Sequence, residues 1–178
     1  MVLQLLSRNS RYIRRNMITQ EQLKQLVEYD PETGNFRWLI RPRQRACSDF
    51  AGTVNPYGYR HICLKQKIYR AHRLAWFYYY GEWPNGQIDH INGNRDDNRI
   101  ANLRLATYQQ NQANSKIRVN NRTGFKGVHF HKLSKLYMAR VMVAGKSHLL
   151  GYYKTPEEAH AAYIVGSKHH FGEFARAM

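Results

Sequence analysis

Between Asp97 and Glu157 the chain has no acidic residue, although eleven Lys and Arg fall in the same stretch. Basic side chains without acidic partners repel one another unless a polyanion is the usual neighbour, and nucleic acid is the first candidate. The whole chain carries the same bias, with 28 Lys and Arg against 12 Asp and Glu and a formal charge of +16. Long apolar runs are missing as well. None approaches the roughly 20 residues of a spanning helix, so a membrane partner is not expected. Cysteine is scarce: Cys47 and Cys63 form no Cys-x-x-Cys pair, which excludes a disulfide framework and leaves no structural zinc to expect. Residues 1–16 carry Arg8, Arg11, Arg14 and Arg15, but their apolar part is too short and interrupted for a secretory signal. They read as a disordered basic arm, and the lack of an export signal fits a reducing cytoplasm.

What is present reads as two modules behind that arm. Thr19-Gln-Glu-Gln22 is a capping-box pattern ahead of Leu23, Leu26 and Val27, so the first helix starts there. Asp30-Pro-Glu-Thr-Gly34 is a turn and Phe36 to Ile40 a short strand. Tyr59 to Leu64 and Lys67 to Tyr69 form a hairpin turning near Lys65-Gln66. The spacing of Ala71, Leu74, Ala75 and Tyr78 predicts a helix stopped by Gly81 and Pro84. The aromatic crowd Trp76, Phe77, Tyr78, Tyr79, Tyr80 and Trp83 reads as core in preference to a base-stacking platform. Ile88 to Ile91, a polar loop, Asn102 to Ala106 and a helix capped by Thr107 and Gln110 give strand, loop, strand, helix. Residues 115–122 are polar and basic without periodicity, and read as a linker. Strands then follow from Phe125 to Val128, Tyr137 to Val143 and Ser147 to Tyr153. A helix opens at Thr155-Pro-Glu-Glu158 with Ala159, Ala162, Tyr163 and Gly166 on one face, and ends near Gly172.

Chemistry concentrates at Asp89-His90. Asp89 offers a carboxylate to a hard cation, and an imidazole beside it takes a proton from water near neutral pH. The surrounding residues make this pair specific: Asn92-Gly-Asn94, Asp97-Asn98, Asn102-Leu-Arg104 and Asn111. With these residues the stretch Ile88 to Asn114 resembles the H-N-H endonucleases of phages and mobile introns. That resemblance implies a site around one metal ion, Mg²⁺ or Mn²⁺, with Asp89 and Asn111 as metal ligands, His90 as general base and Asn102 orienting His90. Asn111 stands where many members have His. The leader Asp30 to Pro84, with Ala71-His-Arg-Leu74 and Gly81-Glu-Trp-Pro84, also resembles leaders of phage members.

Residues 123–178, through Phe125-Lys-Gly-Val128, Tyr137-Met-Ala139, Leu150-Gly-Tyr-Tyr153, Thr155-Pro-Glu-Glu-Ala159, Ala162-Tyr163 and Phe171-Gly172, resemble the plant APETALA/ethylene-response-factor DNA-binding domain. That resemblance implies a sheet laid in the major groove. Lys126, His129 and Arg140 are the mapped contacts, with Lys146, His148 and Tyr152 behind them.

The expected fold is α+β: a central ββα-metal (His-Me finger) nuclease module, then a three-stranded antiparallel sheet packed on one helix. The boundaries are 1–16 for the arm, 17–114 for the nuclease domain with its core motif at 88–114, 115–122 for the linker and 123–178 for the DNA-binding domain. The expected function is a metal-dependent DNA endonuclease acting on double-stranded DNA in the bacterial host cytoplasm, of the homing type by family habit. The expected state is a monomer or weak dimer: a monomer nicks, and cutting both strands needs a dimer or two successive events. The alternatives are a non-catalytic DNA-binding regulator or packaging accessory, and an RNA-directed protein.

Overall fold

The computed structural model describes residues 17–40, 48–117 and 119–176. The expected arm and Cys47 lie outside the described residues. Two compact units form: residues up to Trp83 together with Asp96–Ala101, and Pro84–Arg95 together with the chain from Asn102 onward.

In the first unit the reciprocal cap expected at Thr19 is in place. Gln22 N–H donates to the Thr19 hydroxyl at 3.2 Å and the Gln22 amide oxygen accepts Thr19 N–H at 3.4 Å, opening α1 (Gln20–Leu26). Val27 belongs to a strand and not to this helix. Val27 and Tyr29 are both buried along β1 (Val27–Tyr29), where a β-branched and an aromatic residue fit the pleated surface. β1 pairs antiparallel with β2 (Phe36–Trp38), so the second strand stops short of exposed Leu39 and Ile40.

β3 (Thr53–Val54), β4 (Arg60–Leu64) and β5 (Lys67–Arg70) make a three-stranded antiparallel sheet. Its hairpin turns at Lys65-Gln66, whose φ of 45° and 65° supply the left-handed pair that a two-residue turn demands. α2 (Ala71–Tyr80) ends on left-handed Gly81, and Gln20 donates its amide N–H to Tyr78 O at 2.8 Å, satisfying a helix-end carbonyl. Leu23, Val27, Phe36, Ile62, Leu64 and Leu74 are buried, each such side chain contributing about 1.5–3 kcal/mol. The aromatic crowd divides. Phe77 is buried and stacks on Trp83 at 4.4 Å, whereas Tyr79 and Tyr80 are half exposed.

The second unit begins with β6 (Gln87–His90) antiparallel to β7 (Leu103–Ala106). Thr107 and Gln110 then form the expected capping box at the head of α3 (Tyr108–Ala113), which packs on both strands. Further on, β8 (Val128–His131), β9 (Leu136–Val143) and β10 (Lys146–Tyr153) form an antiparallel sheet with β9 in the middle. β8 starts at Val128 where the sequence suggested Phe125, because Gly127 turns the chain at φ +75°. A Cβ on Gly127 would collide with the Tyr163 ring.

α4 (Pro156–Phe171) follows its Thr155 capping box with Pro156 in the first turn. Val128, Ala139 and Ala159 form the core between this helix and the sheet, with Leu150, Tyr153 and Ala162 packed around them. The small residues of α4 allow close approach: a Cβ on Gly166 would lie 2.7 Å from Leu150. A bulge interrupts β10 between Leu149 and Gly151. No helix among the described residues is long and apolar enough to cross a membrane.

Candidate active site

Asp89 and His90 sit side by side at the end of β6, 3% and 5% exposed. Burying a carboxylate is costly unless it is paired and hydrogen-bonded. Two side chains meet that need. Arg104, directly opposite Asp89 in the β6–β7 register, donates from Nε to Asp89 Oδ2 at 2.9 Å. Asn114, just past the end of α3, donates from Nδ2 to Oδ1 at 2.9 Å and Oδ2 at 3.0 Å. The same amide nitrogen lies 2.8 Å from His90 O.

The chain immediately after His90 is pinned by Asn102. Asn102 Oδ1 accepts Asn92 N–H at 3.0 Å and Asn102 O accepts Ile91 N–H at 2.9 Å. Gly93 N–H closes the turn onto His90 O at 2.8 Å. Asn102 thus holds the backbone of the turn that carries His90. Asn111 lies on α3 and donates its amide N–H to Gln87 Oε1 at 2.7 Å. Its amide oxygen is left to accept or to ligate. The asparagine that meets the Asp89 carboxylate is therefore Asn114, one helical turn beyond Asn111.

Among the described residues no three His, Cys, Asp or Glu side chains gather as a metal cage. One carboxylate with a lone pair open on Oδ1, an imidazole and an amide oxygen do suit a hard divalent ion, which takes oxygen ligands and keeps several of its waters. They do not suit structural zinc, which is enclosed by four thiolate or imidazole ligands.

A family model described as HNH endonuclease matches residues 69–113. "Protein 3.8" of Escherichia phage T7 is 36% identical over 83 residues, 46% of this chain and 69% of that protein. The chain belongs to the HNH endonuclease family. An uncharacterized HNH endonuclease of Acanthamoeba polyphaga mimivirus is 39% identical over 89 residues, 49% of this chain and 44% of the viral protein. No solved structure matches. As an HNH endonuclease the protein is a nuclease hydrolase, from a family that generally uses a divalent metal ion.

Two residues that bond to Asp89 carry no role in the sequence reading. Arg104 was detectable as the opposite charge facing Asp89 once the two strands are set antiparallel. Asn114 was detectable as the i+3 neighbour of Asn111 on the same helical face. Choosing between two asparagines one turn apart required the packing of α3 on β6.

The six residues assigned to DNA contact divide in this HNH endonuclease. His129 faces Met138, Arg140 faces Leu149 and Tyr152 faces Met138 across the strands, on the face turned away from buried Ala139 and Val141. Lys146 and His148 pair with Val143 and Val141, which is the helix side, and the His148 ring lies 5.7 Å from His170 of α4. Lys126 turns inward. Its ammonium donates to Ala113 O, to Ser115 O at 2.7 Å and to Arg176 O at 3.3 Å, so its three N–H bonds are spent on carbonyls and not on phosphate. Burial, with a smaller contribution from the Arg176 charge, lowers its pKa to about 8. Desolvation on the sheet and then the Arg140 charge hold His129 below the usual histidine range. A groove of about 880 Å³ runs past Gln109, Lys116, Arg122, His129, Lys132 and Arg140, and none of the described residues lining it is acidic.

Proposed function

We propose that this HNH endonuclease hydrolyses phosphodiester bonds of double-stranded DNA, one strand per catalytic centre, with one Mg²⁺ or Mn²⁺ ion per site. The observation that carries the reading is the buried Asp89 carboxylate, oriented by Arg104 and Asn114 beside His90. Asp89 and the Asn111 amide oxygen would hold the ion, which would supply Lewis-acid neutralisation of charge building on the phosphate. A ring nitrogen of His90 takes the proton of the attacking water. Asn102 keeps that imidazole in place by fixing the turn after it.

Grip on the duplex comes from the C-terminal sheet, read as an APETALA/ethylene-response-factor type of domain. Arg140, His129 and Tyr152 point from its open face, and the acid-free groove beside them tracks phosphate. His129, its pKa depressed, contributes a neutral hydrogen-bonding ring to this contact. The phage relative supports action in the cytoplasm of a bacterial host.

The test is conversion of supercoiled plasmid with Mg²⁺, with EDTA, and with His90→Ala purified in parallel. Open-circle product that disappears with EDTA and in the variant is expected. No conversion with any divalent metal, despite salt-sensitive duplex binding, would leave a DNA-binding protein without turnover.

A further inference from the structure

The last described residues lie far outside the matched family region, yet they close on the catalytic centre. After α4, a single 3-10 turn (Gly172–Phe174) brings Phe174 into a buried position. Its ring stands 3.7 Å from the guanidinium carbon of Arg104, the residue that holds Asp89. Glu173 O accepts Arg104 Nη1–H at 3.3 Å, and the Glu173 carboxylate lies 3.6 Å from the same nitrogen. Arg104 Nη2 is buried and has no hydrogen-bond partner among the described residues. This arginine is therefore held by its Nε on Asp89, its Nη1 on Glu173 and its flat face on Phe174.

Arg176 completes the contact. Its N–H donates to Ala113 O at 3.3 Å, at the end of the helix that carries Asn111. Its Nη1 donates to Asn92 O at 3.0 Å, within the turn that follows His90. Gly93 leaves the room: a Cβ there would collide with Arg176 Nη1. Within four consecutive residues, Glu173, Phe174 and Arg176 thus touch the arginine behind Asp89, the turn behind His90 and the end of α3.

We propose that Glu173–Arg176 form a brace for the active site, with Phe174 and Arg176 as positioning residues that fix the Asp89 carboxylate through Arg104 and the His90 turn through Asn92. The inference rests on the reading of Asp89 as the ion-holding carboxylate. A guanidinium free to swing lets the carboxylate rotate, and outer contacts of this kind typically govern metal affinity by about 10–100-fold.

The experiment uses the full chain as wild type, Phe174→Leu and Phe174→Tyr. Mn²⁺ binding is followed by electron paramagnetic resonance titration, duplex affinity is measured in EDTA, and nicking is measured across Mg²⁺ concentrations. Phe174→Leu keeps an apolar side chain but loses the aromatic face. It is expected to bind Mn²⁺ about tenfold more weakly, to need correspondingly more Mg²⁺ for half-maximal rate, and to keep its duplex affinity. Phe174→Tyr restores most of the Mn²⁺ affinity. The brace is overturned if both variants bind Mn²⁺ as wild type does, if Tyr fails as badly as Leu, or if duplex affinity collapses together with metal affinity. A wild-type protein that binds no Mn²⁺ and nicks nothing would remove the metal-site reading first, and the brace with it.

Discussion

Replacing Asn114 with Ala takes away the neutral donor that reaches both oxygens of the buried Asp89 carboxylate and also touches His90 O. A hydrogen bond to a charged group contributes about 1.5–3 kcal/mol. At about 2 kcal/mol, and with about 2–4 °C per kcal/mol for a chain of this size, the melting temperature should fall by roughly 4–8 °C. Activity should fall further than that loss of stability alone implies, by about 10–100-fold, because Arg104 is left to orient Asp89 alone. Thermal melts monitored by circular dichroism and plasmid nicking at saturating Mg²⁺ read the two effects separately. Asn114→Asp adds a sign. A second carboxylate where the amide stands is desolvated beside a like charge, which raises the pKa of the introduced group in the fold. Such a group binds its proton more tightly folded than unfolded, so this variant should lose stability relative to wild type as the pH rises from acid to neutral. If Asn114→Ala melts and nicks indistinguishably from wild type, the orientation of Asp89 does not depend on this amide and the argument fails.

Lys126 titrates near 8 in the fold against an ordinary value of 10.5. Between those values the unfolded chain keeps the proton that the folded chain has released, so stability should rise with pH across that window. Melting wild type and Lys126→Met side by side at neutral and alkaline pH checks this, and a wild type that loses stability relative to the variant with rising pH would contradict it. Arg140→Ala should weaken duplex binding and flatten the dependence of log affinity on log salt by about one unit, the loss of a single phosphate contact. An unchanged slope removes Arg140 from the interface.

The helix starts were legible because their signals are local. Thr19, Thr107 and Thr155 each sit three residues ahead of the side chain that completes the cap. The hairpin at Lys65-Gln66 was found from the runs on either side, although neither turn residue advertises a positive φ. Val27 was drawn into the helix before it because an apolar residue at that spacing satisfies both periods. At the site, Asp89, His90 and Asn102 stood out through spacing along the chain. Arg104 and Asn114 act through pairing across strands and helix-on-strand packing, which spacing does not encode. Lys126 illustrates the same limit: a lysine in an acid-free stretch reads as a phosphate contact until three carbonyls are found around its ammonium.

The bulge at Leu149–Gly151 has its own consequence for what the sheet displays. A strand alternates strictly, so Lys146, His148 and Tyr152 share a face only if nothing is inserted between them. One extra residue changes the phase midway, sending His148 toward α4 and Tyr152 toward the open side. Deleting Leu150 would leave Leu149 opposite Arg140 and Gly151 opposite Ala139, so both halves of β10 would keep their faces and the loss would fall on the packing of Leu150 against Gly166. In a sheet built this way, one inserted residue decides which side chains of β10 stand on the open face, while the pairing partners on β9 stay in unbroken order.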